Sequence, residues 1–276
     1  MLARLIVAAA LGTAMWVLPA QAADQIRIAT EGAYKPYNFK DASGNLVGFE
    51  VDLAQELCKR MAVQCKLVEQ AWDGIIPSLV AKKYDAIMAG MSIKAEREKV
   101  ISFSRHYAAT PIRFAVPKDS ALASYQSEIE AITLADVDAK EQEALDSMKA
   151  VLKGKTVGVQ VSTTHEDFMQ KHMPDISLKS YDTMDNMILD LQAGRIDAGY
   201  TAVTFLLPII EKSNDIAMIG PDMTGGPLGR GVAVGVRKED SKLRERFSVA
   251  IDTMIADKSL SKLAVKWFGF DASAAE

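Results

Sequence analysis

The chain has 276 residues, 49% hydrophobic and 25% charged, with 32 basic against 36 acidic residues and a net charge of −4. That composition is ordinary for a globular protein, and its mild acidity gives no reason to expect nucleic acid or an anionic membrane surface as a partner. The length is too great for one small core and suits two lobes.

The N-terminus predicts export. Arg4 precedes an apolar run over residues 5–18, and Ala20-Gln21-Ala22 supplies the small-x-small pattern of a signal-peptidase site, so residues 1–22 read as a signal peptide cut before Ala23. The run is shorter than the roughly 20 residues that a spanning helix needs, which argues against a retained anchor. No cysteine stands at the cut to carry a lipid, and a soluble periplasmic product is expected.

Ile26-Arg27-Ile28-Ala29-Thr30 alternates as a strand does and stops at Glu31-Gly32. Residues 49–61 place Val51, Leu53, Ala54, Leu57 and Met61 at helical spacing, and Lys66-Leu67-Val68 follows as a strand. Residues 72–82 repeat the helical pattern with Ile75, Ile76, Leu79 and Val80, ahead of a strand at Tyr84-Asp85-Ala86-Ile87-Met88-Ala89. Alternation of this kind predicts a parallel sheet with helices on both faces.

The extended run Thr110-Pro111-Ile112-Arg113-Phe114-Ala115-Val116 reads as a crossing into a second lobe, and residues 139–152 as a weakly amphipathic helix. Lys155-Thr156-Val157-Gly158-Val159-Gln160 starts a second α/β pattern, with a helix over residues 184–193 and a strand at Arg195-Ile196-Asp197-Ala198-Gly199-Tyr200. Residues 225–231 are glycine-rich and lead to Val232-Ala233-Val234-Gly235-Val236 and closing helices. The expected architecture is α/β and two-lobed, each lobe a mostly parallel sheet flanked by helices, joined by two hinge crossings. Lobe 1 takes residues 23–108 and, after the return crossing, 225–276; lobe 2 takes residues 109–224. Ligands are expected between the lobes at the carboxyl ends of the strands.

Cys58 and Cys65 are the only cysteines. In an exported protein a close pair reads as one local disulfide, and metal binding lacks a nearby histidine. Closing so short a loop adds about 2 to 3 kcal/mol on the chain-entropy model. His106, His165 and His172 are scattered without ligand spacing, and no metal or other cofactor is expected.

Tyr34-Lys35-Pro36-Tyr37, Gly48-Phe49-Glu50-Val51-Asp52-Leu53-Ala54, the Cys58 and Cys65 pair, Trp72-Asp73-Gly74-Ile75-Ile76-Pro77-Ser78-Leu79, Lys83-Tyr84-Asp85-Ala86-Ile87-Met88 and Gly235-Val236-Arg237-Lys238-Glu239-Asp240 stand in an order and spacing that carry a resemblance. The chain resembles the periplasmic amino-acid-binding proteins of ABC importers, in the lysine/arginine/ornithine/histidine branch and its octopine/nopaline neighbours. Ala29-Thr30-Glu31-Gly32, Gln70-Ala71-Trp72-Asp73-Gly74, Val157-Gly158-Val159-Gln160 and Ser162-Thr163-Thr164 are more similar to the opine binders. The resemblance implies capture of a cationic amino acid or an arginine-derived opine by hinge closure, an inner-membrane ABC permease as partner, and a monomer.

It also implies a site. Arg97 would fork onto the ligand's α-carboxylate, a geometry that lysine cannot match, although from its neighbours Glu96, Glu98 and Lys99 it reads equally as a solvated helix residue. Ala89, Gly90, Met91 and Ser92 would form the loop beside it, with Thr163 and Thr164 opposite; such hydroxyls also serve as helix caps. Glu31 would face the distal cation of the ligand, and Glu50 would be a second acid there or a helix-capping group. Tyr34 and Trp72 would sandwich the ligand's side chain, the alternative for Trp72 being ordinary core, and Gln160 would line the far lobe. Ala202 stands where the family has a carboxylate for a free α-ammonium, which fits an N-substituted ligand, and Val161 replaces a family glycine. The main rival is a periplasmic enzyme on the same fold, dehydratase-like, with Glu31 or Glu50 as its acid or base. A ligand-sensing ectodomain is the third reading.

Overall fold

A computed structural model describes residues 25–274; the expected signal peptide and the expected cut before Ala23 lie outside them. The first part of the chain runs through β1 (Gln25–Thr30), β2 (Ala33–Tyr34), β3 (Asn38–Lys40), β4 (Leu46–Val47), α1 (Phe49–Arg60) and β5 (Gln64–Glu69). It continues with α2 (Ile75–Val80), β6 (Ala86–Ile87), α3 (Ala95–Glu98) and β7 (Ile101–Ala108). β8 (Ile112–Pro117), β9 (Ala131–Thr133), α4 (Ala139–Leu152), β10 (Thr156–Gln160) and α5 (Thr164–His172) follow. Then come β11 (Ser177–Tyr181), α6 (Met184–Gln192), β12 (Ala198–Ala202), α7 (Val203–Ser213) and β13 (Ile216–Thr224). The chain ends with β14 (Val232–Arg237), α8 (Ser241–Ala256) and α9 (Ser259–Phe268).

Two sheets hold the two lobes. The first is five-stranded in the order β5-β1-β6-β14-β7, and the second six-stranded in the order β11-β10-β12-β8-β13-β9. β1 lies parallel to β5 and β6, and β10 parallel to β11 and β12, with helices α1, α2, α5 and α6 as the crossover connections that parallel strands need. Of the strands on either side of the crossings, β14 pairs antiparallel with β6 and β7, and β8 antiparallel with β12 and β13, while the outer strand β9 lies parallel to β13. The chain passes from the first sheet to the second between Ala108 and Ile112 and returns between Thr224 and Val232. A small sheet of β2, β3 and β4 sits over the first lobe.

Each helix forms where its apolar stripe meets a sheet. α1 buries Val51, Leu53, Ala54 and Leu57, with Glu50 and Asp52 in its first turn and Lys59 and Arg60 in its last, both favourable to the helix dipole. α4 is fixed at its start by a capping box in which Glu141 N donates to Asp138 Oδ1 (2.8 Å) and Asp138 N to Glu141 Oε2 (2.9 Å). The Cys58–Cys65 disulfide joins the last turn of α1 to β5, with the Cα atoms 6.0 Å apart. Among the described residues no helix is long and apolar enough to cross a membrane.

Candidate ligand-binding site

The carboxyl ends of β1, β6, β10 and β12 point into one cavity between the lobes, closed on its third side by the two crossings. The first lobe contributes Glu31, which follows β1, together with Tyr34 from β2, Trp72 from the loop before α2 and the stretch Ala89, Gly90 and Ser92 after β6. Arg97 enters from α3. The second lobe contributes Gln160 at the end of β10, Thr163 and Thr164 at the start of α5, and Ala202 at the end of β12.

The turn after β6 needs glycine at one point. Gly90 has φ +62°, and a Cβ there would stand 2.6 Å from Tyr34 Cε1, so the missing side chain lets the tyrosine ring close over the backbone. Tyr34 is in turn stacked on Tyr37, centroids 5.0 Å apart, and on Phe205 of the second lobe at 5.5 Å. The cavity wall on this side is therefore rigid aromatic surface.

Arg97 is 6% exposed, which excludes the solvated-helix alternative. Its Nη1 donates to Ser92 O (2.9 Å), its Nη2 donates across the cleft to Ser162 O (3.0 Å), and its guanidinium lies 5.1 Å from the centroid of the Trp72 ring. Burial lowers its pKa to about 10, with Asp167 opposing the shift, so the group stays charged at neutral pH. The two carbonyl bonds use two of five N–H donors, and among the described residues no carboxylate forms an ion pair with it.

Glu31 is the only carboxylate among the described residues lining the cavity. It accepts from Gln160 Nε2 of the other lobe at 2.7 Å. Burial pushes its pKa up to about 7; the Gln160 bond opposes this, and the charges of Asp185, Glu50 and Asp182 add to it. A cation brought against Glu31 would relieve that penalty.

Two expected positions fall outside the cavity wall. Glu50, 1% exposed, lies behind it: the carboxylate accepts from Asn38 Nδ2 (2.6 Å), Gly90 N (2.7 Å) and the Tyr107 hydroxyl. Three donors occupy it, and its place behind the Gly90 turn makes it a support for that turn. Nor is it the α1 capping group, because α1 has no side-chain cap bond. Met91 packs instead in the core of the first lobe, fully buried, while Ala89, Gly90 and Ser92 around it line the cavity.

Several lining residues were not expected. Tyr37 and Met184 add apolar walls, while Ala109, Thr110 and Ile112 come from the first crossing and Thr224, Gly225, Leu228, Gly229, Gly231 and Val232 from the second. The glycine-rich run over residues 225–231 was the signal for the latter group. His165, next to Thr164, also lines the cavity, and nothing in its local sequence distinguishes it from a structural histidine. Thr163 combines two duties, since its hydroxyl accepts from Glu166 N as the α5 cap and donates to Gln160 O (2.7 Å).

The lobes also touch through groups of their own. Trp72 Nε1 donates to Val161 O at 3.0 Å, and Lys94 forms an ion pair with Asp167 on α5.

The model of the bacterial extracellular solute-binding proteins, family 3, matches residues 26–270. The chain belongs to that family. The solute-binding protein is 41% identical to the octopine-binding periplasmic protein of Rhizobium meliloti, over 94% of this chain and 96% of the relative. It is 40% identical to the histidine-binding periplasmic protein of Salmonella typhimurium, over 90% of this chain and 88% of the relative. Among solved structures it is similar to a periplasmic His/Glu/Gln/Arg/opine family-binding protein from Silicibacter pomeroyi in complex with lysine. That match has a TM-score of 0.73 and 33% identity, covering 90% of this chain and 99% of the other. These relatives are binding proteins, not enzymes, and the solute-binding protein shares their periplasmic, ligand-capturing role in import.

Proposed function

We propose that the protein captures a cationic amino acid or an arginine-derived opine between its lobes and delivers it to an inner-membrane ABC permease. One observation carries the reading: a single cavity presents a buried guanidinium, Arg97, with no ion-pair partner among the described residues, and a separate half-buried carboxylate, Glu31, whose ionisation is penalised. A ligand with a carboxylate at one end and a cation at the other satisfies both. Tyr34 and Trp72 would enclose its stem, with Ala89, Gly90, Ser92, Gln160, Thr163, Thr164 and Ala202 completing the contacts.

The small Ala202, with no carboxylate beside it, favours the N-substituted alternative within that class. A thermal-shift screen over arginine, lysine, ornithine, histidine, octopine and nopaline tests the reading, because a ligand that binds only the folded state raises Tm by mass action. No shift with any of the six would overturn it. The mature form is proposed to be a monomer starting at Ala23, which intact-mass and sedimentation measurements on the exported protein check.

A further inference from the structure

His165 is explained neither by packing alone nor by the contacts assigned so far. It is the second residue of α5, 7% exposed, and its ring forms part of the cavity wall. The ring stands edge-on to Tyr200, centroids 5.9 Å apart. Tyr200 is itself wedged between Phe114 (4.5 Å) and Phe168 (5.1 Å), and its hydroxyl meets Met223 Sδ at 3.3 Å, so the imidazole rests on a fixed base.

An apolar side chain would meet those packing demands. The imidazole instead brings an Nδ1 that is enclosed and has no hydrogen-bond partner among the described residues. Buried polar nitrogens are rarely left so, because an unpaired one is costly. Its surroundings also define its charge: burial and the Arg97 guanidinium lower its pKa to about 3, so the ring is neutral throughout the physiological range. A neutral imidazole can place its proton on either nitrogen and donate to an anion without carrying charge itself.

The position says which part of a ligand it meets. If Arg97 holds the α-carboxylate and Glu31 the distal cation, the third substituent of the α-carbon is the nitrogen. His165 stands close enough to Arg97 for that charge to lower its pKa, and Ala202, Thr110 and Thr224 line the same cavity. Ala202 ends the strand that carries Tyr200, is 2% exposed and bears only a methyl, and apart from Glu31 no acid lines the cavity among the described residues.

We propose that His165 is a specificity-determining residue that donates a hydrogen bond to a carboxylate carried on the ligand's α-nitrogen, as in an N-carboxyalkyl amino acid. This rests on the function proposed above. It predicts discrimination between two probes that share the arginine frame and differ only at the α-nitrogen, octopine and arginine.

Calorimetric titration of wild type, His165→Leu and His165→Gln with both probes tests it. Loss of one hydrogen bond to a charged group corresponds to roughly a tenfold or greater loss of affinity. His165→Leu should therefore weaken octopine at least about tenfold more than it weakens arginine, and His165→Gln, which keeps a donor, should recover part of the difference. Equal losses for the two probes would make His165 a packing residue and overturn the proposal. Wild type that binds arginine but not octopine would overturn it while leaving the function standing, and wild type that binds neither would remove both.

A readout without substitution guards against a variant that fails to fold. The chain has three histidines, which makes assignment of the imidazole nitrogen resonances practicable. Those of His165 should move more on saturation with octopine than with arginine. Identical shifts for the two probes would count against the contact.

Discussion

If Glu31 meets the ligand's cation as proposed, capture weakens as the pH falls. Burial raises its pKa from the ordinary 4.5 to about 7 before a cation arrives. A ligand guanidinium or ammonium in contact with it favours the ionised form and returns the pKa toward the ordinary range. Protons therefore compete with the ligand: below pH 7 the unliganded protein holds a proton on Glu31 that binding must expel. Affinity then falls about tenfold per pH unit below 7, or roughly 100-fold between pH 8 and pH 5, with the loss levelling off as the pH approaches the value of the complex.

Calorimetry with arginine at pH 5, 6, 7 and 8, in buffers of different ionisation enthalpy, measures both the slope and the proton released. Arginine's own guanidinium and α-amino groups do not titrate between pH 5 and 7. His165, with its pKa held near 3, adds nothing in the window. Glu31→Gln should flatten the profile, and citrulline, which lacks the distal cation, should show little of it. A Kd that changes less than threefold from pH 8 to pH 5, or a full slope retained in Glu31→Gln, would refute the reasoning.

Other variants test the remaining walls. Arg97→Ala would remove the protein's side of the proposed charge pair with the ligand's carboxylate, a loss of about 2 to 5 kcal/mol, and titration should show affinity falling by roughly 30-fold to several-thousand-fold, with Arg97→Lys recovering little. Gly90→Ala would put a methyl 2.6 Å from Tyr34 Cε1 at a positive φ, so both Tm and affinity should drop, the latter about tenfold or more. Glu50→Ala strands three donors in the core and should lower unfolding stability by about 3 kcal/mol or more in denaturant titration. Cys58→Ser with Cys65→Ser should lower stability by about 2 to 3 kcal/mol and leave the order of ligand affinities unchanged, because the pair joins α1 to β5 away from the cavity.

The sequence carried the periodic elements well and the irregular ones poorly. Residues 49–61 and 139–152 read as helices because their apolar spacing is clean, and α1 and α4 occupy almost those spans. The helix read over residues 72–82 is only α2: Gly74 adopts φ +85° at its N-cap, which turns Trp72 away from the helix and toward the cleft. α7 went unread because Pro208 lies inside it, and proline removes a backbone donor. β7 was obscured by Ser104-Arg105-His106, polar residues that pairing with β14 and packing against α8 accommodate.

In the site, it was the resemblance that placed Arg97, Glu31 and Trp72, since the local sequence left Arg97 as a surface residue and Trp72 as core, and all three line the cavity. What failed was the separation of wall from backing. Glu50 sits beside the cavity in sequence terms and behind it in space, because the bond to Gly90 N depends on how β6 and α1 meet across 40 residues of chain. Thr110 and Thr224 could be placed near a crossing but not aimed, since that depends on how the two sheets face each other.

The ion pair between Lys94 and Asp167, with the bond from Trp72 to Val161 O, belongs to the protein and not to any cargo. Such contacts set the free energy gap between the separated and apposed lobes, and measured affinity is the intrinsic affinity scaled by the fraction of molecules competent to hold the ligand. Their strength therefore acts as a common multiplier. Loosening the pair weakens every solute by one factor and leaves their ranking alone, whereas a change in the cavity wall reorders them. Uptake threshold and selectivity can thus drift independently in this protein, one governed by the rim of the cleft and the other by its floor.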